Sequence, residues 1–368
     1  MKILMTGGGT GGHIYPAIAI ADKFKERTLD AEVLFVGTQH GLEKELVPRS
    51  GYEIRFIDAS GIDRRNLLKN FKTLKDYSAG KRQAKRIIEE FKPDAVIGTG
   101  GYVCGPVVKT AAKMGIKTYI HEQNAAPGLT NKLLEKHVDA VFLGFEEGAQ
   151  YFKEPKKHVV SGNPVRDSFF SADKAESRKE LGINPDDFVL LSFGGSQGAG
   201  RINRAMLDVA ARYNNQDGVQ VYFVTGKRYY EPVLREMEDR NIEPGGNIHV
   251  LEYINDMEKY LSASDIVVSR SGALAVSEIA VCGTPSILIP SPNVTGNHQM
   301  FNAKAIADKG GAVLMEESEL SGQALVDEIE RLRQDTDAIL KMSGAAKDCA
   351  PLDAADIIYY HIINNMEG

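Results

Sequence analysis

The chain has 368 residues, 43% of them hydrophobic and 26% charged, the composition of a soluble globular protein long enough for two domains. Net charge is −6, but residues 1–163 carry 25 Lys and Arg against 19 Asp and Glu, a balance of +6, and the remainder 19 against 31, a balance of −12. The acidic half argues against nucleic acid as a partner, and three cysteines without CxxC spacing argue against a disulfide framework or zinc site and fit a reducing cytoplasm.

Membrane insertion and export are not expected. The most apolar stretches, Ile266–Val268 and Ile287–Pro290, are strand-length, far short of the ~20 residues of a spanning helix. Only Ile3–Met5 are apolar between Lys2 and the first glycines, so there is no signal-peptide core.

Short β-branched runs alternate with amphipathic helical stretches from Met1 to about residue 315. Strands are expected at Lys2–Thr6, Glu32–Val36, Ile54–Ile57, Ala95–Ile97, Thr118–Ile120, Ala140–Phe142 and Val159–Val160. After Gly162-Asn163-Pro164 the rhythm restarts, with Phe188–Ser192, Gln220–Val224, Ile248–Leu251, Ile266–Val268 and Ser286–Ile289. Parallel strands need crossover connections, so this order predicts two α/β, doubly wound, Rossmann-like domains, 1–163 and 164–345. Residues 346–368 read as a helical tail whose docking site is not legible.

Four glycine-bearing loops each follow a strand and precede a helix. The first is Thr6-Gly-Gly-Gly-Thr-Gly-Gly-His13, with five glycines in six positions. Backbone free of side chains lets a ligand reach the amides, and the helix start favours negative charge. Gly7, Gly9 and Gly12 spell GxGxxG, but a dinucleotide site needs an acid at the end of the second strand. Here that strand ends Phe35-Val36-Gly37-Thr38, with no acid until Glu43. The others are Gly98-Thr-Gly-Gly-Tyr-Val-Cys-Gly-Pro106, Gly194-Gly-Ser-Gln-Gly198 and Ser269-Arg-Ser-Gly-Ala273. All lie beyond the carboxyl ends of strands, where open α/β sheets bind ligands, and imply a central cleft with one substrate per side. Glu278, on the helix after the fourth loop, is placed to accept both hydroxyls of a ribose. A favourable helix-dipole carboxylate is the plainer reading of the same residue.

The set Gly7–His13, His121-Glu-Gln-Asn124, Gly162-Asn-Pro-Val-Arg166, Gly194-Gly-Ser-Gln-Gly-Ala199, Ser271-Gly-Ala-Leu-Ala-Val-Ser-Glu278 and Asn297-His-Gln299 resembles the MurG family of peptidoglycan glycosyltransferases. The match runs in order from about residue 3 to 310. The resemblance implies a GT-B fold, with acceptor mainly on the first domain and UDP-sugar mainly on the second. It implies UDP-N-acetylglucosamine as donor, no required cofactor, and lipid I (undecaprenyl-diphospho-muramoyl-pentapeptide) as acceptor at its 4-hydroxyl, giving lipid II. Ser196 and the backbone of Ala273, Leu274, Ala275, Val276 and Ser277 would meet the diphosphate, and Glu278 the ribose. Ile254 would read the uracil edge, and Arg166 and Gln299 would add donor contacts. Thr10, Gly11, Gly12 and Asn124 would reach the sugar from the first domain, and Gly100, Gly101 and Tyr102 would serve the acceptor. His298 stands where some relatives carry a second Gln.

The resemblance further implies inversion by one in-line displacement, which needs a base and stabilisation of departing UDP. Helix N-termini and Arg166 can supply the second without metal. Asp186-Asp187 precedes a strand, at the wrong end of the sheet for a diphosphate metal. His13 is the leading base, since imidazole suits proton transfer near neutrality, and Glu122 the runner-up. A structural histidine binding backbone or acceptor diphosphate is the alternative for His13.

A lipid-linked acceptor also implies a peripheral place on the cytoplasmic face of the plasma membrane, with other wall-synthesis and division proteins as partners. Residues 64–92 hold ten Lys and Arg against three acids. Arg64, Arg65, Lys69, Lys72 and Lys75 are the expected contacts with the anionic inner leaflet, each worth ~1 kcal/mol near the surface. A solvated helix face would look the same. Competing functions are another UDP-sugar GT-B enzyme, such as a UDP-N-acetylglucosamine 2-epimerase or a glycolipid glycosyltransferase, and a non-catalytic membrane partner of wall synthesis.

Overall fold

The computed structural model describes residues 1–61, 69–195, 197–350 and 353–367, which divide into two compact units. The first comprises Met1–Val165 with the C-terminal helix Ala354–Glu367; the second is Arg166–Ala350.

In the first unit seven strands, β1 (Lys2–Gly7), β2 (Glu32–Gly37), β3 (Glu53–Phe56), β4 (Ala95–Gly100), β5 (Lys117–Glu122), β6 (Ala140–Leu143) and β7 (His158–Val160), form a parallel sheet ordered β3-β2-β1-β4-β5-β6-β7. Side chains alternate across a strand, so β1 sends Leu4 to one face and Ile3 and Met5 to the other. Leu4 joins Val36, Val96, Ile120 and Val141 beneath helices Lys69–Phe91 and Cys104–Lys113. Ile3 and Met5 join Phe35, Ile97 and Phe142 beneath helix Gly11–Arg27. Both faces are covered, which is why these strands read as continuous apolar runs.

The C-terminal helix completes the second face. Ile358, Tyr359 and Ile362 pack into the cluster of Ile14, Ala17, Ile20 and Phe24, with Tyr359 edge-on to Phe24 at 5.1 Å. Each buried isoleucine contributes about 1.5–3 kcal/mol over an exposed one. Lys23 and Arg27 meet Asp356 at 3.4 and 3.1 Å. The tail is therefore part of the first unit, and the expected boundary at 345 falls inside helix Thr336–Asp348 of the second.

The second unit repeats the pattern with β8 (Phe188–Phe193), β9 (Val219–Val224), β10 (Ile248–Leu251), β11 (Ile266–Ser269), β12 (Ser286–Leu288) and β13 (Val313–Leu314), ordered β10-β9-β8-β11-β12-β13 and parallel throughout. Its largest cluster sets Leu190, Val221, Phe223, Ile266 and Ile287 against Ile202, Met206 and Val209 of helix Gly200–Tyr213. In each unit β1 or β8 lies centrally, with the chain crossing to the opposite side after the third strand. That reversal is the switch point where such sheets open a crevice at their carboxyl ends.

Candidate active site

In the first unit the carboxyl ends of β1, β4 and β5 bring the glycine loop, Gly100–Tyr102 and the segment His121–Asn124 together. Thr10 caps helix Gly11–Arg27 in extended geometry without a side-chain cap bond, and no acid lies in the first turn. Its carbonyl accepts from the amides of His13 (3.1 Å) and Ile14 (3.3 Å). The amides of Gly11 and Gly12 have no partner among the described residues, and a helix start of this kind favours negative charge.

His13 is held from two sides. Its carbonyl accepts from Thr99 Oγ1 at 2.7 Å, and its ring Nδ1 lies 3.0 Å from Gln123 Oε1. Gly100, at φ 116°, lies flat on the ring: a Cβ there would stand 2.6 Å from Nδ1. Gly100 thus makes room for the imidazole, and Gly101 for the backbone of Gly8. Tyr102 is half-buried beside Gly9 and Gly61.

Glu122 has a different character from the runner-up base of the sequence reading. It is buried, and its oxygens accept from four donors: the Asn124 amide and Nδ2 on Oε1 (both 3.1 Å), the Gly128 amide (3.0 Å) and Asn131 Nδ2 (2.9 Å) on Oε2. A carboxylate so engaged frames the loop it serves, with its acceptor sites taken by protein donors. His121 is fully buried, and desolvation pushes its pKa down to about 4 despite the Gly162 carbonyl on Nε2, keeping it neutral.

The acid missing from the second strand end is nevertheless present in space. Glu43, buried, accepts from the Gly9 amide (2.9 Å), the Thr38 amide (2.9 Å) and Thr38 Oγ1 (2.8 Å). It ties the glycine loop to the end of β2, with three donors on its two oxygens. Sequence order hid this contact, because it spans 34 residues.

In the second unit the loops after β8 and β9 interlock: a side chain on Gly198 would strike the Thr225 carbonyl and Tyr229. Ser196 lies outside the described residues. After β11, Gly272 caps helix Ala273–Cys282 with no side-chain cap bond, no acid in the first turn and open space where a Cβ would be. The Val276 amide is engaged by the Gly272 carbonyl (3.0 Å) and the Ser277 hydroxyl by the Ala273 carbonyl (3.0 Å). The amides of Ala273, Leu274 and Ala275 remain without partners among the described residues.

Glu278 projects from the next turn. Burial pushes its pKa up to about 7, opposed by the Arg166 guanidinium and reinforced by Glu258. No hydrogen bond or ion pair engages it among the described residues. Arg166 pairs instead with Glu258 at 3.2 Å and lies over the Phe169 ring. Sequence reading missed Glu258, which carries no motif signal. Gln299 accepts from the Ser291 amide at 2.8 Å, leaving its Nε2 to donate, and its carbonyl accepts from Ser271 Oγ at 2.8 Å. Ile254 is buried by its side chain, while its backbone groups have no partner among the described residues.

Of the expected membrane contacts, Arg64 and Arg65 lie outside the described residues, as do the side chains of Lys69 and Lys72. Lys75 is exposed beside Leu74, which is 65% exposed, whereas Ile87 and Ile88 of the same helix turn into the core. Leu129 and Leu133 are also exposed, on a helix (Leu129–Leu134) that carries Lys132. Among the described residues no helix is long and apolar enough to cross a membrane, and no group of three His, Cys, Asp or Glu could hold a metal ion.

The model of the glycosyltransferase family 28 N-terminal domain matches residues 3–143, and that of the family's C-terminal domain matches residues 189–357. A protein of Alkaliphilus oremlandii named UDP-N-acetylglucosamine–N-acetylmuramyl-(pentapeptide) pyrophosphoryl-undecaprenol N-acetylglucosamine transferase is 42% identical over 98% of this chain and 97% of its own. The Bacillus subtilis protein of the same name is 42% identical over 98% of each chain. Among solved structures, MurG of Acinetobacter baumannii aligns with a TM-score of 0.75 at 28% identity, covering 100% of this chain and 99% of its own. The UDP-GlcNAc 2-epimerase of Neisseria meningitidis aligns at 0.71 over 99% and 100%, but at 15% identity it shows the shared fold alone.

Proposed function

The chain belongs to glycosyltransferase family 28, and from that membership we infer that it transfers N-acetylglucosamine from UDP-N-acetylglucosamine to the 4-hydroxyl of the muramoyl sugar of lipid I, forming lipid II. Full-length identity of 42% to enzymes of that name favours this over an epimerase or a non-catalytic partner. The observation that carries it is Glu278, a half-buried carboxylate with a raised pKa and no partner among the described residues, one turn beyond three amides that also have none there. Such a pair suits a ribose diol beside a diphosphate.

In this reading the second unit holds the nucleotide. The amides of Ala273–Ala275 receive the diphosphate, Ile254 backbone reads the uracil edge, and Gln299 Nε2 donates to a sugar hydroxyl. Ser196 and Arg166 add charge and hydrogen bonds at the leaving group. The first unit holds the acceptor by Gly100, Gly101 and Tyr102, the Gly11 and Gly12 amides serve the donor sugar, and His13 is the base. The acceptor 4-oxygen attacks the anomeric carbon, its proton passes to His13 Nε2, and the bond to the β-phosphate oxygen breaks with both electrons leaving on UDP. Preorganised amides at a helix start stabilise that departing charge by several kcal/mol.

We also infer peripheral attachment to the cytoplasmic membrane face. Exposed Leu74, Leu129 and Leu133 among Lys75 and Lys132 would enter the headgroup region while the lysines meet anionic lipid. Raising salt should strip the protein from anionic vesicles; salt-insensitive or absent binding refutes the attachment. For the reaction, purified protein is mixed with UDP-N-acetylglucosamine and a lipid I analogue. Release of UDP together with a new disaccharide-lipid is expected, and UDP binding without disaccharide refutes the transferase reading.

A further inference from the structure

We propose that Gln123 is a positioning residue that fixes the tautomer of His13, holding its proton on Nδ1 and leaving Nε2 as the free lone pair. Gln123 is 1% exposed, and its amide nitrogen is 2.7 Å from the Thr99 carbonyl, 2.9 Å from His121 Nδ1 and 3.3 Å from the His121 carbonyl. Both carbonyls can only accept. His121 Nε2 lies 3.0 Å from the Gly162 carbonyl, another obligatory acceptor, so Nε2 carries the hydrogen. Neutral His121 therefore accepts at Nδ1. Every neighbour of the Gln123 amide nitrogen is thus an acceptor, which sets the nitrogen on that side and turns the oxygen, which can only accept, towards His13. The 3.0 Å contact between that oxygen and His13 Nδ1 requires the hydrogen to sit on His13.

The arrangement is anchored at its far end by backbone. Asn163 Nδ2 donates to the Gln123 carbonyl at 3.0 Å, and Asn131 Nδ2 to that of His121 at 3.1 Å. A carboxylate in place of Gln123 would orient His13 equally but would bind the imidazolium tightly. A neutral amide orients without trapping the proton, which suits a base that must release it each turnover. His13 Nε2 has no partner among the described residues and remains available.

The proposal rests on His13 being the base, and its test separates the two. Imidazole nitrogen shifts of 15N-histidine-labelled full-length protein report the tautomer, with the His13 signals identified as those lost in His13→Gln. Wild-type neutral His13 is expected to carry its proton on Nδ1. In Gln123→Met the Nε2–H form should gain population and kcat should fall on the order of 10- to 100-fold with KM for UDP-N-acetylglucosamine unchanged. A wild-type Nε2–H tautomer alongside an inactive His13→Gln overturns the proposal while sparing the base. A Gln123→Met protein with wild-type tautomer and kcat overturns it as well. Near-normal kcat in His13→Gln refutes the base reading itself and leaves Gln123 without a catalytic role. Should Gln123→Met fail to fold, the wild-type spectrum alone decides.

Discussion

On the reading that Glu278 holds the ribose, donor binding is expected to depend on pH in a calculable way. The Glu278 carboxyl sits at about 7 instead of 4.5 because burial disfavours the charge more than Arg166 restores it. Accepting both ribose hydroxyls requires the ionised form, so the protonated fraction competes with the ligand. With a midpoint near 7, about one molecule in eleven is ionised at about pH 6 and about ten in eleven at about pH 8. Affinity for UDP-N-acetylglucosamine should therefore rise about tenfold across that interval, or ~1.4 kcal/mol. The intact UDP-sugar is the right probe, because its diphosphate diester does not titrate there as free UDP does. Calorimetric titration measures it, with Glu278→Gln as control: the variant should bind more weakly at about pH 8 and lose the slope. The sign for folding is opposite. An acid whose pKa is raised in the native state binds more protons folded, so the ligand-free protein loses stability between about pH 4.5 and 7. Donor affinity that is flat over the interval, or a slope retained in Glu278→Gln, refutes the assignment.

Two further outcomes follow from the first unit. Gly100→Ala places a methyl 2.6 Å from His13 Nδ1 at φ 116°, so kcat should fall by at least tenfold and the melting temperature should drop; unchanged kinetics would refute the packing described for the imidazole. Glu122→Gln puts an NH2 group opposite donors, leaving buried groups unsatisfied at a cost of about 1–3 kcal/mol. Denaturant unfolding should show that loss, while the pH profile of the residual activity keeps its wild-type shape, since Glu122 frames the loop; a shifted profile would return it to the list of bases.

The strands of both sheets were legible because β-branched runs buried on two faces leave a continuous apolar signature. Their ends were read short. β4 was expected to stop at Ile97 but pairs to Gly100, because parallel hydrogen bonding is a backbone property that glycine shares. β13 escaped notice, being two residues that hold their place only by pairing with β12. The terminal helix was visible from Ile357 to Ile363 as a pattern, but its partner was not, since an apolar stripe says that it must be covered and not by what.

The site divides along the same line. Glycine density beyond a strand, a histidine at the loop's end and an acid on a helix are local patterns, dictated by backbone approach and helix-end electrostatics, and sequence alone displays them. Which polar groups are free and which are engaged depends on contacts between residues far apart in the chain. Glu43 reaches Gly9, Gln123 reaches His13 across 110 residues, and Glu258 takes Arg166 from across 92. A carboxylate's chemistry is set by its donors and its burial, so folding separated Glu122, saturated with hydrogen bonds, from Glu278, half-buried and without a partner among the described residues, though in the sequence both are simply glutamates within a motif.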